Sequence, residues 1–262
     1  MTFRFLTCFF ILSTSLIYAT ITGNPAEPGI LKKGLWEKSQ PWCSVRLGYF
    51  DDWIYKYRFC DEFKFEGEAH TRTHLEFSTY AGTVTLNFLN HLDFYTILGS
   101  SRMKLDEEIY SKCAFSWGVG AKILLLKYGN FYFGGDSKYF QSYQKPRFFL
   151  IDGEAYNIAT DYRSKYDEGQ GSLGIAYRIK FFIPYINANY IFTRIEPLPP
   201  MILVRLPDID ELVDIELKSI ISKKKLGMAL GFSLVDIKKM ELSLEWRAFN
   251  QKGLNVNAQI RF

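Results

Sequence analysis

The last nine residues of the chain read LNVNAQIRF, from Leu254 to Phe262, and they alternate strictly between two kinds of side chain. Apolar or small residues take every second position, and the polar ones between them are Asn255, Asn257, Gln259 and Arg261. A two-residue period places successive side chains on opposite faces of a β-strand. The segment therefore predicts a strand with one oily face and one polar face.

The same alternation recurs many times after residue 40. It is found in Trp53–Phe59, Ala114–Ile123, Leu173–Phe181, Val213–Lys218, Leu226–Leu234 and Lys239–Ala248. Strands of about 9 to 11 residues are long enough to cross a bilayer at a tilt. Short polar connections such as KYGN at 127–130 and NQKG at 250–253 separate the segments and are typical of hairpins. The pattern predicts an all-β, antiparallel fold.

Such strands can close into a membrane barrel or pack into a soluble β-sandwich. The polar faces carry repeated charges on consecutive strands, and 17% of all residues are aromatic, which is more than a soluble core usually needs. A closed barrel also removes edge strands and satisfies every backbone group in a medium without water. We therefore predict a transmembrane antiparallel β-barrel of the outer-membrane porin type, with about 12 to 16 strands.

The N-terminal 19 residues, MTFRFLTCFFILSTSLIYA, combine Arg4, an apolar stretch and a final small residue, Ala19. This pattern predicts a secretory signal peptide. A membrane anchor is the alternative, but about 14 apolar residues are fewer than the roughly 20 that span a bilayer. We predict a signal peptide at 1–19, a periplasmic or lumenal segment at 20–40, and the barrel at 41–262.

Several kinds of chemistry find no support in the sequence. The net charge is only +4, which does not indicate a nucleic-acid-binding surface. His70 and His74 lie four residues apart, but no acidic or cysteine partner is spaced to complete a metal site. We predict no catalytic residues, no cofactor and no metal, and hence a protein that is not an enzyme.

The polar faces are the most informative chemistry. The predicted lumen-facing charges are Arg178, Lys180, Asp214, Glu216, Lys218, Glu241, Glu245 and Arg247. Charged rings set the ion preference of a pore, and both signs are present, so we expect weak selectivity. The alternative is that they fill a narrow lumen with salt bridges. Aromatic residues predicted to help form girdles at the membrane surfaces are Trp36, Trp53, Tyr55, Tyr57, Trp117, Tyr185, Tyr190 and Trp246.

Several blocks of the chain resemble the major outer membrane protein family of the chlamydiae. They are GNPAEPGILKKGLWE at 23–37, WCSVRLGYFDDW at 42–53, DFYTILGSS at 93–101, AFSWGVGAKILL at 114–125, YDEGQGSLGIAYRIKFFIPYI at 166–186 and GLNVNAQIRF at 253–262. The resemblance implies a trimeric porin that passes small solutes through the outer membrane of a Gram-negative, chlamydia-like bacterium. It also implies disulfide links to cysteine-rich envelope proteins.

The chain departs from the family in length and in its cysteines. It is shorter than is usual, and it lacks the cysteine-rich insertion before Trp42 and Cys43. Cys43 matches a family position, whereas Cys60 and Cys113 do not. The alternative function is therefore a structural envelope protein held by intermolecular disulfides of these three cysteines, which could equally be inert thiols. The final Phe262 resembles the signal by which the barrel-assembly machinery recognises its substrates.

Overall fold

The structure, a computed structural model, describes residues 23–31, 34, 42–61, 73–105, 109–151, 154–157, 162–205, 212–216, 218–236 and 239–262. Their elements are α1 (Glu27–Ile30), β1 (Cys43–Asp61), β2 (Thr73–Phe88), β3 (Leu92–Leu105), β4 (Ile109–Ser111), β5 (Ala114–Tyr128), β6 (Phe131–Gln144), β7 (Pro146–Ile151), β8 (Glu154–Asn157), β9 (Arg163–Tyr177), β10 (Phe182–Leu198), β11 (Met201–Arg205), β12 (Leu212–Glu216), β13 (Ile220–Ser222), β14 (Leu226–Asp236), β15 (Met240–Ala248) and β16 (Gln251–Arg261). None of the helices described here has the length and apolar character that a membrane-spanning helix needs.

Within the described residues, ten antiparallel strands close into one ring. Their order around the ring is β1, β2, β3, β5, β6, β9, β10, β14, β15 and β16. The ring closes where β16 pairs with β1, in a register that sets Ile260 opposite Leu47. Closure leaves no free sheet edge in the ring and pairs the backbone groups that lipid cannot satisfy. The predicted all-β, antiparallel barrel is confirmed.

The described ring has fewer strands than the predicted 12 to 16, for two reasons. The barrel strands run from 9 residues in β15 to 19 in β1, so several are longer than the predicted span. The connections from β6 to β9 and from β10 to β14 also form short strands that lie outside the ring. The prediction assigned about 20 residues to each strand with its connection, which is fewer than the long strands and these connections use.

The two ends of the barrel differ. At the end we call the terminus end, the chain turns tightly at 89–91, 129–130 and 178–181, and Phe262 lies there. At the opposite end, the loop end, β4, β7 and β8 extend the sheet and β11 pairs with β12 as a separate hairpin. β13 bridges β1 and β10 above the three shorter strands β14, β15 and β16.

The faces of β15 show which side of each strand meets the lumen. Met240, Leu242 and Trp246 are exposed on the outside, at 45%, 47% and 51%. On the opposite face of the strand, Glu245 and Arg247 are fully buried inside the ring. An exposed apolar face and a buried charged face are the reverse of a soluble protein and fit a barrel surrounded by lipid.

The alternation in β1 is interrupted. The sequence places Trp53, Tyr55, Tyr57 and Phe59 on one face, but Tyr57 and Phe59 are buried in the lumen while Tyr55 is exposed. A register shift between Ile54 and the residues after it is present on both neighbouring strands. A bulge of this kind adds one residue and so moves every later side chain to the other face.

Candidate functional site in the barrel lumen

The N-terminal segment Gly23–Leu31 lies inside the barrel at its terminus end, and every residue in it is buried. Polar wall residues bind its backbone. Asn187 Nδ2 donates to the Gly23 carbonyl at 2.8 Å, and Asn87 Nδ2 donates to the Pro28 carbonyl at 3.1 Å. Asn24 Nδ2 also donates to Ser233 Oγ at 2.8 Å. The segment is therefore tied to several strands around the ring and occupies the lumen there.

Glu27 is the main electrostatic anchor of this segment. Its carboxylate forms an ion pair with Lys122, lies 3.9 Å from Arg46, and accepts a 2.7 Å hydrogen bond from Gln259 Nε2. Arg46 in turn pairs with Asp93. Burial acts to raise the pKa of Glu27, but attraction to Lys122 and Arg46 outweighs it and the pKa lies below its usual value. Three strands thus hold one carboxylate of the segment.

Apolar contacts also hold the N-terminal segment against the wall of the barrel. Ala26, Ile30 and Leu31 are fully buried and belong to one hydrophobic cluster with wall residues. The wall members of the cluster are Leu124, Tyr132, Ala176, Ile183, Tyr185 and Val235. Gly134 has no side chain where the Pro25 carbonyl approaches, and any Cβ there would collide with it. The wall is therefore shaped to receive this segment.

Charged and amide groups occupy the middle of the lumen. Asp52 on β1 forms a buried ion pair with Arg247 on β15. Lys138 Nζ and both amide atoms of Gln170 and Gln251 are buried with no hydrogen-bond partner among the described residues. Buried polar groups in folded proteins are nearly always satisfied by a protein group or by water, so these atoms are positions at which water would bind. The middle layer is thus polar.

An apolar cluster narrows the lumen from the middle toward the loop end. Phe77 stacks on Tyr166 with ring centroids 4.2 Å apart and planes at 13°, and Phe140 meets both rings edge-on. The buried members of the cluster are Phe50, Ile54, Tyr57, Phe59, Leu75, Phe77, Ala81, Tyr95, Ile97, Met103, Phe140, Tyr166, Ile191 and Ile195. Two separate features thus narrow the lumen. They are the N-terminal segment at the terminus end and this apolar cluster toward the loop end.

A small cavity lies between the N-terminal segment and the apolar cluster. Its volume is about 30 Å³, and Glu27, Tyr95, Lys122 and Lys138 contribute to its lining. This is room for about one water molecule. The described residues thus leave little free space at this point between the segment and the cluster.

Three of the charges predicted to face the lumen, Glu241, Glu245 and Arg247, are buried inside the ring on β15. Glu241 accepts a hydrogen bond of 3.0 Å from Gln259 Nε2. Glu245 accepts one of 3.3 Å from the Tyr185 hydroxyl. These side chains line the polar layers next to the N-terminal segment and the Asp52–Arg247 pair.

The other five are placed differently from that expectation. β9 ends at Tyr177, so Arg178 and Lys180 lie in the turn to β10, and Lys180 is exposed with a positive φ of 54°. Asp214 and Glu216 lie on β12, which pairs with β11 outside the ring, and their side chains fall outside the described part. Lys218 is exposed between β12 and β13. The alternation there belongs to a turn and a hairpin that do not line the barrel.

The aromatic girdle is only partly as expected. Tyr55, Tyr190 and Trp246 are exposed on the outer surface, and Trp53 and Trp117 are partly exposed there. Tyr57 and Tyr185, predicted for the girdle, are instead buried in the lumen. Tyr57 faces inward because it follows the bulge in β1. Tyr185 faces inward because it occupies a lumen-facing position in the alternation of β10. Trp36 lies outside the described residues.

The sequence pattern did not identify the residues that hold the N-terminal segment. Glu27 gave no signal because its partner Lys122 is 95 residues away. Lys122 itself occupies a polar position of the Ala114–Ile123 alternation, which is the signal that could have identified it. Asp52 and Lys138 are likewise inward members of alternating strands.

The cysteines lie at both ends of the barrel. Cys43 and Cys60, near the two ends of β1, are half-buried, and Cys113 is exposed between β4 and β5. In the described part of the chain all three are free thiols. The Phe262 amide donates to the Val45 carbonyl at 2.9 Å, which extends the pairing of β16 with β1. The described residues contain no group of three or more His, Cys, Asp or Glu arranged to hold a metal ion.

Comparison with known proteins relates the chain to a group of porins, although no family model matches it. It is 26% identical over 378 aligned residues to the major outer membrane porin, serovar E, of Chlamydia trachomatis, covering 95% of this chain and 96% of that protein. It is 24% identical over 370 residues to the major outer membrane porin of Chlamydia abortus, covering 94% and 95%. These alignments are longer than the 262 residues of this chain, so the relatives carry insertions.

Solved structures with a similar arrangement are also outer-membrane barrels. The outer membrane protease OmpT from Escherichia coli matches with a TM-score of 0.44 and 10% identity, covering 84% of this chain and 96% of that one. The translocator domain of the autotransporter NalP from Neisseria meningitidis matches with a TM-score of 0.45 and 7% identity, covering 86% and 90%. The relationship to porins rests on the sequence alignments and the closed ring. The chain is a short relative of the chlamydial major outer membrane porins and an outer-membrane β-barrel.

Proposed function

We propose that the protein is a porin that lets small hydrophilic solutes and ions diffuse passively across the outer membrane, without catalysis or a cofactor. The curated relatives are named as porins, and the barrel has a lipid-facing exterior with a charged interior. The observation that carries the proposal is the middle layer of the lumen. There Lys138, Gln170 and Gln251 have buried polar atoms without a partner among the described residues, and water along the lumen would satisfy them.

The proposed pore opens by movement of Gly23–Leu31. The segment is held by apolar contacts and by ion pairs and hydrogen bonds to the wall, and water can replace these polar contacts as the segment leaves. Both signs of charge are buried in the lumen. They are Arg46, Lys122, Lys138, Arg247 and Arg261, with Glu27, Asp52, Asp93, Asp136, Glu168, Glu241 and Glu245. This near balance supports weak ion selectivity.

Planar-bilayer recording tests the pore. We expect the purified, folded protein to produce discrete conductance steps, and graded polyethylene glycols to block them above a size limit. A variant lacking Gly23–Leu31 should be recorded beside it, because a wild-type barrel held closed would otherwise be mistaken for one without a pore. If neither protein conducts while both remain folded, the porin function is wrong.

Intermolecular cross-linking is the second candidate function. Cys113 is exposed and Cys43 and Cys60 are half-buried, so thiols are available toward both ends of the barrel. We expect disulfide-linked species on non-reducing gels of isolated envelopes, collapsing to monomer with reductant. A monomer without reductant, from envelopes prepared with a thiol-blocking reagent, would contradict this role.

The resemblance also supports a homotrimer recognised by the barrel-assembly machinery, and we propose both. The longer connections at the loop end indicate that this end faces outward and the terminus end faces the periplasm. Phe262 then lies where an assembly factor in the periplasm could reach it. Deletion of Phe262 should lower the yield of folded barrel in the membrane, and an unchanged yield would show that another feature provides the signal.

A further inference from the structure

Four basic side chains lie close together on the outer surface of the barrel at its loop end. They are Lys56 and Arg58 on β1, Lys252 on β16 and Arg102 on β3, here called the basic patch, and all four are exposed. The strands β16, β1, β2 and β3 are neighbours in the ring. With strands about 4.8 Å apart, the patch is about 14 Å wide.

Two of these cations face each other directly. The pairing of β1 with β16 sets Lys56 opposite Lys252. Like charges at directly opposed positions repel and destabilise a strand pair. The bulge in β1 contributes to this arrangement, since it turns Lys56 outward beside Tyr55. A pair placed in this way is stabilised when an anion lies between the two ammonium groups.

The described side chains provide little negative charge to neutralise the patch. Glu76 lies within it, but its carboxylate is 3.3 Å from Lys104 Nζ, which is a further cation. No ion pair to Lys56, Arg58, Arg102 or Lys252 occurs among the side chains that the structure describes. An anion from outside the chain would therefore meet a local excess of positive charge.

The height of the patch on the barrel identifies the source of that anion. Immediately below it, on the side nearer the terminus end, Trp53 Nε1 donates to the Tyr80 hydroxyl at 3.4 Å, and Leu254 is opposite Trp53. The apolar outer face of β16 continues from there to Ile260. Trp and Tyr at the edge of an apolar band mark the level of the lipid headgroups. Lys56, Arg58 and Lys252, directly above, lie where lipid phosphates lie, and Arg102 is in the same row of paired residues as Trp53.

We propose that the basic patch binds lipids with phosphate-monoester headgroups, the phosphate lying between Lys56 and Lys252. Arg58 and Arg102 add charge on either side, and the acyl chains lie along the apolar face below. The proposal concerns the lipid-facing surface and is independent of conduction through the lumen.

Lipid retention by the full-length folded protein tests the proposal. Native mass spectrometry counts the phosphatidic acid molecules retained during titration, with diacylglycerol of the same acyl chains as the lipid without phosphate. The test variant is K56Q/K252Q. The matched control, K127Q/K180Q, removes two exposed lysines at the terminus end. Cold and heated gel migration shows that each variant is folded.

We expect the wild type and K127Q/K180Q to retain phosphatidic acid but not diacylglycerol. K56Q/K252Q should lose about tenfold or more in apparent affinity, since each lysine near a charged surface contributes on the order of a fivefold effect. If the double variant does not fold, R102Q should still show about a fivefold loss. Equal retention of diacylglycerol, an equal loss in K127Q/K180Q, or unchanged binding by the patch variants would overturn the proposal.

Discussion

Removal of Gly23–Leu31 is expected to raise the single-channel conductance several-fold in planar bilayers. The deletion takes Glu27 away from Lys122 and Arg46, and it empties the terminus end of the barrel. The wall should remain closed because its strands pair with each other and none pairs with the segment. The apolar cluster toward the loop end stays in place, so it sets the upper limit of that rise.

A variant in which the N-terminal segment is linked to the barrel wall should keep the channel closed. Asn24 and Ser233 are joined by a hydrogen bond, so cysteines at these two positions can be linked by a short bifunctional thiol reagent after Cys43, Cys60 and Cys113 are replaced by serine. Linking should suppress conductance steps, whereas the unlinked protein should conduct like its cysteine-free parent. If linked and deleted proteins conduct equally, the segment does not control the pore, although the porin function would stand.

Replacement of Arg247 by methionine is expected to lower the free energy of unfolding by about 3 to 5 kcal/mol. Arg247 and Asp52 are 0% and 1% exposed, and their ion pair joins strands that lie on either side of β16. Without the guanidinium, the Asp52 carboxylate would be buried and uncompensated. Urea unfolding of the barrel in detergent micelles, followed by tryptophan fluorescence, measures the loss.

Two controls separate the ion pair from the change in size. Combining D52N with R247M removes both charges of the pair and should recover much of the lost stability, because the Asp52 carboxylate is no longer left without its partner. K127M, at an exposed position of the terminus end, should change stability by less than about 0.5 kcal/mol. A double variant as unstable as R247M would show that packing of the long arginine side chain matters more than its charge.

The local pattern determined much of the fold. In β15 the alternation alone identifies Glu241, Glu245 and Arg247 as members of one face, and the structure buries that face. It succeeds because period-two side-chain placement follows from the geometry of a single strand. It fails in β1, where one added residue at the bulge moves Tyr57 and Phe59 to the lumen. The residues before the bulge show no pattern that predicts it.

The sequence by itself determined that the chain is an antiparallel barrel with an oily exterior, because repeated alternation over long segments admits few other solutions in lipid. Only the tertiary structure decided that ten of the described strands form the ring. The size of the ring depends on which segments pair within it and which form separate hairpins, as β11 and β12 do. The tertiary structure also placed Glu27 in the lumen against Lys122. That contact joins residues far apart in the chain, and no local period can encode it.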